Sequence, residues 1–206
     1  MPKYNIDVSD YITYEEALAI LNNGEDEIER VLVSVTWLTG ARPTEIISLK
    51  KKDILLTETK IEFIMRNLKR GKSDQFDMVN RKLKRERPIG VNIDIFIETI
   101  AKYIRKLPEE ESLLFPYTKR WAEGKITKLC KKTLGKEKSM YHFRHGCHVW
   151  LNRHGFTLTD LQYWKGAKDV RSVLKYLHAT ARTVTAEMTQ EDRGESKQAQ
   201  SYETFL

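Results

Sequence analysis

Three separated stretches of this 206-residue chain carry side chains that could act in concert. They are Thr39-Gly-Ala-Arg42-Pro-Thr-Glu45, Tyr141-His-Phe-Arg144-His145, and Lys165-Gly-Ala-Lys168-Asp followed by Tyr176. Guanidinium forks match phosphate oxygens bidentately and stay charged at any physiological pH. A tyrosine hydroxyl, with a pKa of about 10 in water, is a weak nucleophile until cationic neighbours favour the phenolate. Singly, each residue has a plainer reading: Arg42 as a surface arginine, Tyr141 as core, and Tyr176 as a packing tyrosine at helical spacing from Val173 and Leu177. His142, His145, Cys147 and His148 resemble a metal cluster, but no carboxylate completes a ligand set between residues 139 and 159, so no metal is expected.

The elements that must position these groups follow from caps, breakers and periodicity. Thr13-Tyr-Glu-Glu16 is a capping box for a helix running to about Asn22, which Asn23-Gly24 stops. Asp26 to Thr39 reads as a largely buried helix, with Ile28, Val31, Leu32, Val35 and Leu38 at three- and four-residue steps. Gly40 interrupts, and Pro43 suits the first turn of the next helix, which leaves Arg42 at its entrance. Ile54–Leu56, Ile61–Met65 and Pro88–Val91 read as short strands flanking a long basic hairpin over 67–87. Ile93–Leu107 is an amphipathic helix ended by Pro108, and Leu113–Pro116 is an apolar plug. Trp121–Leu134, Ser139 to about His154, Leu158–Lys165 and Val170–Ala179 read as further helices. The fold class is therefore α+β, mainly helical with a small antiparallel sheet.

The net charge of +7 is uneven: Lys60–Arg87 and Lys119–Lys138 each carry +6, so the remainder is negative. Basicity concentrated in two segments builds a phosphate-facing surface, and a polyanion is the expected partner. The longest apolar run, Val31–Leu38, falls far short of the roughly 20 residues that span a bilayer. Two distant cysteines, Cys130 and Cys147, and no apolar leader point to a reducing, cytoplasmic setting. No Gly-rich phosphate loop is present, so no nucleotide is expected.

The first stretch, extended through Ile-Ile-Ser-Leu49, resembles the T-G-x-R-x-x-E-[LI]-x-x-L box of the tyrosine recombinases, the family of lambda integrase, Cre and the Xer proteins. Tyr141 to His145 falls where that family has H-x-[LF]-R-H, and Lys165-Gly-Ala167 where it has L-G-H ahead of the nucleophilic tyrosine, here Tyr176. The order, the hairpin after box one and Leu114-Phe115-Pro116 before box two also agree, so the resemblance covers roughly residues 11–180. It implies the DNA breaking-rejoining fold and a site-specific recombinase that cleaves and rejoins duplex DNA through a 3′-phosphotyrosyl link. Neither metal nor ATP nor any other cofactor is implied. A tetramer assembled on double-stranded DNA is.

Carried over residue by residue, the resemblance makes Arg42 and Arg144 the phosphate clamp and Tyr176 the nucleophile, with Tyr163 and Tyr202 as outsiders. Lys69 best fits the hairpin lysine that serves as general acid, with Lys72 and Lys84 as rivals. Glu45 orients Arg42 or caps backbone rather than reacting. Arg70, Lys72, Lys84, Lys125, Lys128 and Lys132 are the expected DNA contacts. Two positions depart from the pattern. Tyr141 stands where most members have histidine, as in some archaeal integrases, and it does not titrate near neutrality. Ala167 replaces the later histidine or tryptophan and cannot hydrogen-bond, so Lys165, Lys168 and His178 are the candidates to substitute, with His145 in support. The chain divides into an irregular lead-in (1–10), a catalytic domain (11–188) and a flexible tail (189–206) that could be exchanged between protomers. Residues 1–10 are too short for the N-terminal helical arm common in the family, so the chain is expected to be either a fragment or a minimal recombinase. The rival readings are a type IB topoisomerase and a non-catalytic DNA-binding relative.

Overall fold

The computed structural model describes residues 11–66, 82–88, 94–167 and 169–177, with backbone alone for 66 and 82–88. Helix α1 (Tyr14–Asn22) starts at the expected capping box: Thr13 Oγ1 accepts from the Glu16 amide at 3.2 Å, and the Glu16 carboxylate accepts from the Thr13 amide at 3.0 Å. Helix α2 (Glu27–Thr39) is capped by Asp26 and is buried almost all round from Val31 to Thr39, which makes it the central helix of the core. Its hydroxyls do not break that core. Thr36 donates to the Leu32 carbonyl and Thr39 to the Val35 carbonyl, both at 2.6 Å, so each polar group is satisfied one turn back. The helix ends at Gly40 in the left-handed conformation (φ 54°), where a Cβ would sit 2.8 Å from Cys147 Sγ.

Helix α3 (Pro43–Ile47) follows, then a 3₁₀ turn (Lys51–Asp53) and an antiparallel sheet in the order β1 (Ile54–Leu56), β2 (Lys60–Arg66), β3 (Lys82–Pro88). The sheet reaches further back than the sequence suggests. The return strand is the charged run Lys82–Pro88, paired along all of β2 from Lys60↔Pro88 to Arg66↔Lys82. Composition argued for a loop here, but β2 turns Ile61, Phe63 and Met65 into the core and leaves a ladder edge that any backbone can satisfy. A charged strand is also well suited to an edge position.

Helix α4 (Asp94–Ile104) stops before Leu107, and the amides of Lys106 and Leu107 close 3₁₀-like turns on Tyr103 and Ile104. Leu107 precedes Pro108, whose ring disfavours the helical conformation for the residue before it. Of the expected plug, Leu114 and Phe115 are buried. Leu113 stays exposed and bridges to Lys50. Helix α5 (Lys119–Leu134), capped by Thr118, begins two residues earlier than periodicity implied. Helices α6 (Met140–Arg153) and α7 (Leu158–Lys165) and a helical segment at 171–177 (α8) complete the described chain. Tyr11, Cys147, Leu161, Trp164, Val173 and Tyr176 form a second apolar cluster that holds α7 and α8 on α6. Among the described residues no helix is long and apolar enough to cross a membrane. The expected lead-in and tail lie outside the described residues.

Candidate active site

Arg42 is the N-cap of α3, and the carboxylate of Glu45 holds it at two points: Oε2 accepts from the Arg42 amide at 2.8 Å and Oε1 from its guanidinium Nη1 at 2.7 Å. Glu45 is 2% exposed while the Arg42 side chain is 29% exposed, so a buried anion aims a half-exposed cation outward. Arg144 is held differently. Nη1 donates to the Gly40 carbonyl at 2.7 Å and Nη2 to the Lys165 carbonyl at 3.2 Å, so the negative C-terminal ends of α2 and α7 grip one guanidinium. Trp164 reinforces this, its indole N–H donating to the Thr39 carbonyl at 2.8 Å. Burial, and next the charge of Arg42, lower the pKa of Arg144. Two like charges kept close enough to oppose each other are a site that an anion relieves.

Tyr176 is close enough to Arg144 to interact with its charge and is fully buried. Its hydroxyl is 3.0 Å from His145 Nδ1, and its ring stacks on that of His148 at 4.8 Å and 17°. Lys165 and Lys175 each place an ammonium over the phenol, 5.4 and 5.3 Å from the ring centroid. The sequence suggested that cationic neighbours favour the phenolate. Here burial wins: it pushes the Tyr176 pKa up, and the opposing charge of Arg144 does not cancel it.

His145 is governed by the same enclosure. Burial first, then Lys175, Lys165, Arg144 and His142, press its pKa from 6.5 down to about 3. An unfolded imidazole binds a proton near 6.5, so as pH falls from 6.5 towards 3 the unfolded chain gains a proton that the fold refuses, and stability falls with it. Denaturation midpoints measured across that window should show this acid slope, reduced in His145→Gln. An NMR titration in which His145 protonates at its ordinary value would contradict the expectation.

Tyr141 is not core: it is 60% exposed in the first turn of α6, its ring meeting His145 edge-on at 4.9 Å. His142 is a capping residue, its Nδ1 accepting from the Ser139 amide at 3.0 Å. At the Ala167 position only backbone is engaged, Ala167 and Gln162 closing the end of α7, while Lys165 Nζ donates to the Ser172 carbonyl at 2.6 Å. Lys168 and His178 lie outside the described residues, as do Lys69, Arg70 and Lys72. Lys84 falls in β3 opposite Ile64. Lys125 is bonded to Glu29 in the first turn of α2 at 2.7 Å and Lys132 to Glu25 in the α1–α2 turn at 2.8 Å, whereas Lys128 is exposed. Sequence reasoning missed His148 as the stacking partner of Tyr176. Its position one helical turn beyond Arg144 and His145 was the available signal.

Structures of similar architecture include the XerA recombinase, with a TM-score of 0.64 and 20% identity over 93% of this chain and 65% of that one. The catalytic domain of the bacteriophage HP1 integrase gives a TM-score of 0.54 and 17% identity over 87% of this chain and 93% of that one. At this level of identity the likeness concerns the fold, that of the tyrosine recombinase catalytic domain. In sequence, the chain is 26% identical to the tyrosine recombinase XerD of Staphylococcus epidermidis over 208 residues, covering 92% of this chain and 64% of that protein. It thus spans less than two thirds of that relative's length. The phage integrase family as a whole matches residues 10–183. A chain matched over nearly all its described length, with the family's boxes folded into one cluster, belongs to the phage integrase family.

Proposed function

We propose that this chain is the catalytic domain of a site-specific tyrosine recombinase acting on duplex DNA. The observation that carries the reading is the convergence of Arg42, Arg144 and Tyr176, from three distant segments, on one partly open cluster. Arg42 and Arg144 bind the non-bridging oxygens of the scissile phosphate and stabilise the charge that builds on them in the five-coordinate transition state. Tyr176 Oη attacks phosphorus, the 3′-phosphotyrosyl bond forms and the bond to the 5′-oxygen breaks. Lys69 protonates that leaving oxygen. The bond energy stays in the phosphotyrosyl ester, so a second strand's 5′-hydroxyl reverses the step, with the guanidiniums in the place a metal would otherwise take.

Covalent capture tests this. The chain is incubated in EDTA with a pool of duplexes randomised in sequence and nicked so that the short fragment leaving with the 5′-hydroxyl diffuses away. A protein–DNA adduct that survives denaturation, with the DNA joined through its 3′ end, is the expected product, and sequencing the trapped strands identifies the site. Absence of adduct across the pool refutes the reading. The XerH and lambda integrase structures of like fold are DNA complexes, the latter a dimer. In this chain, too, protomers would assemble on DNA, the tail at 189–206 docking on a neighbour. Deleting 189–206 should weaken assembly in a mobility-shift titration while single-protomer binding persists, and unchanged assembly would count against the docking.

A further inference from the structure

Neither Tyr141 nor Ala167 supplies a group that can accept a proton near neutrality, yet the attacking phenol must lose one. A side-chain acceptor lies beside it: His145 Nδ1 is 3.0 Å from Tyr176 Oη, inside the reach required of a general base. We propose that His145 is the catalytic base of this site, taking the Tyr176 proton directly as Oη bonds to phosphorus. The inference rests on the recombinase reading above and assigns a role within it.

The step balances. The Oη–H pair becomes the new Oη–P bond, the proton moves to Nδ1, and the P–O5′ bond breaks with its electron pair on the 5′-oxygen, which takes a proton from the lysine ammonium. Resealing reverses each transfer, and the imidazolium returns its proton to the phenol. The role requires the neutral tautomer with its hydrogen on Nε2. The surroundings suit a base that works only on bound DNA. Facing the imidazole are Lys165 from α7, Lys175 from α8, and Arg144 and His142 from its own helix, with Tyr141 edge-on and Tyr176 across the bond. These cations and burial keep it neutral and weakly basic in the free protein. A phosphodiester seated on the two arginines brings a negative charge that offsets the same cations and raises its basicity when the proton must move. The base is thereby coupled to its substrate, and premature deprotonation of Tyr176 is avoided.

The experiment measures single-turnover adduct formation on the duplex trapped from the random pool, in two forms: the ordinary phosphodiester, and one with sulfur in the 5′-bridging position, whose leaving group needs no proton. His145→Gln keeps an acceptor for the phenol but cannot take its proton at neutral pH. It should slow both substrates about equally, by about 100-fold or more, because the base acts on attack and not on departure. Free imidazole should restore His145→Ala but not Tyr176→Phe. The inference is overturned if His145→Gln cleaves like the unaltered chain, if its slowing is confined to the oxygen ester, or if imidazole fails to restore His145→Ala. An unaltered chain that forms no adduct removes the recombinase reading itself, which is a separate result.

Discussion

Tyr176→Phe should form no covalent adduct with DNA under conditions in which the unaltered chain does. The substitution deletes one oxygen from a fully buried ring that stacks on His148 at 4.8 Å, so the second apolar cluster should survive intact. The lost contact is the 3.0 Å bond to His145, worth about 1 kcal/mol net, so the melting temperature should move by only a few degrees. Binding to DNA should persist, because Arg42 and Arg144 are held by Glu45, Gly40 and Lys165 rather than by the phenol. The variant thus separates chemistry from binding, and gel-resolved adduct yield beside a mobility shift reads both. A normal yield would move the nucleophile elsewhere, with Tyr163, 57% exposed on α7, the first alternative among the described residues.

Gly146→Ala should have the largest effect on stability. Residues 11 and 12 are strapped across α6: the Ile12 amide donates to the His142 carbonyl at 3.1 Å, and Lys138 Nζ donates to the Tyr11 carbonyl at 2.6 Å. A Cβ on Gly146 would lie 1.9 Å from the Ile12 carbonyl oxygen and 3.0 Å from Trp37 in the core. Backbone held at both ends cannot yield as a flexible side chain would, and forced overpacking of this kind costs about 3 kcal/mol or more. Alanine's better helix propensity returns only about 1 kcal/mol. The expected result is a fall in melting temperature of roughly 5 °C or more, with weaker phosphate binding because the same helix carries Arg144. Unchanged melting would mean that the strap is not a fixed part of the fold.

Much of the scaffold was legible because helices are local. The Thr13–Glu16 capping box, the stripe from Val31 to Leu38, Pro43 after Arg42 and the stretch Leu158–Lys165 all act within one or two turns, and each is where spacing and capping rules put it. Legibility ended where distant chain decides. Lys82–Pro88 is a strand because β2 offers it a ladder, against its own composition. Lys125 and Lys132 look like free cations in sequence but meet the buried Glu29 and the exposed Glu25 from across the fold.

The order and spacing of Arg42, Arg144 and Tyr176 were written in the chain, and so was the family they point to. What lay beyond the sequence was how these groups meet. Helix ends from α2 and α7 grip Arg144, His145 and His148 enclose Tyr176, and burial lifts the phenol's pKa despite the nearby cations of Arg144, Lys165 and Lys175. Side-chain type and local spacing are properties of the chain. Desolvation and through-space charge depend on which segments pack together, and only the folded structure decides them.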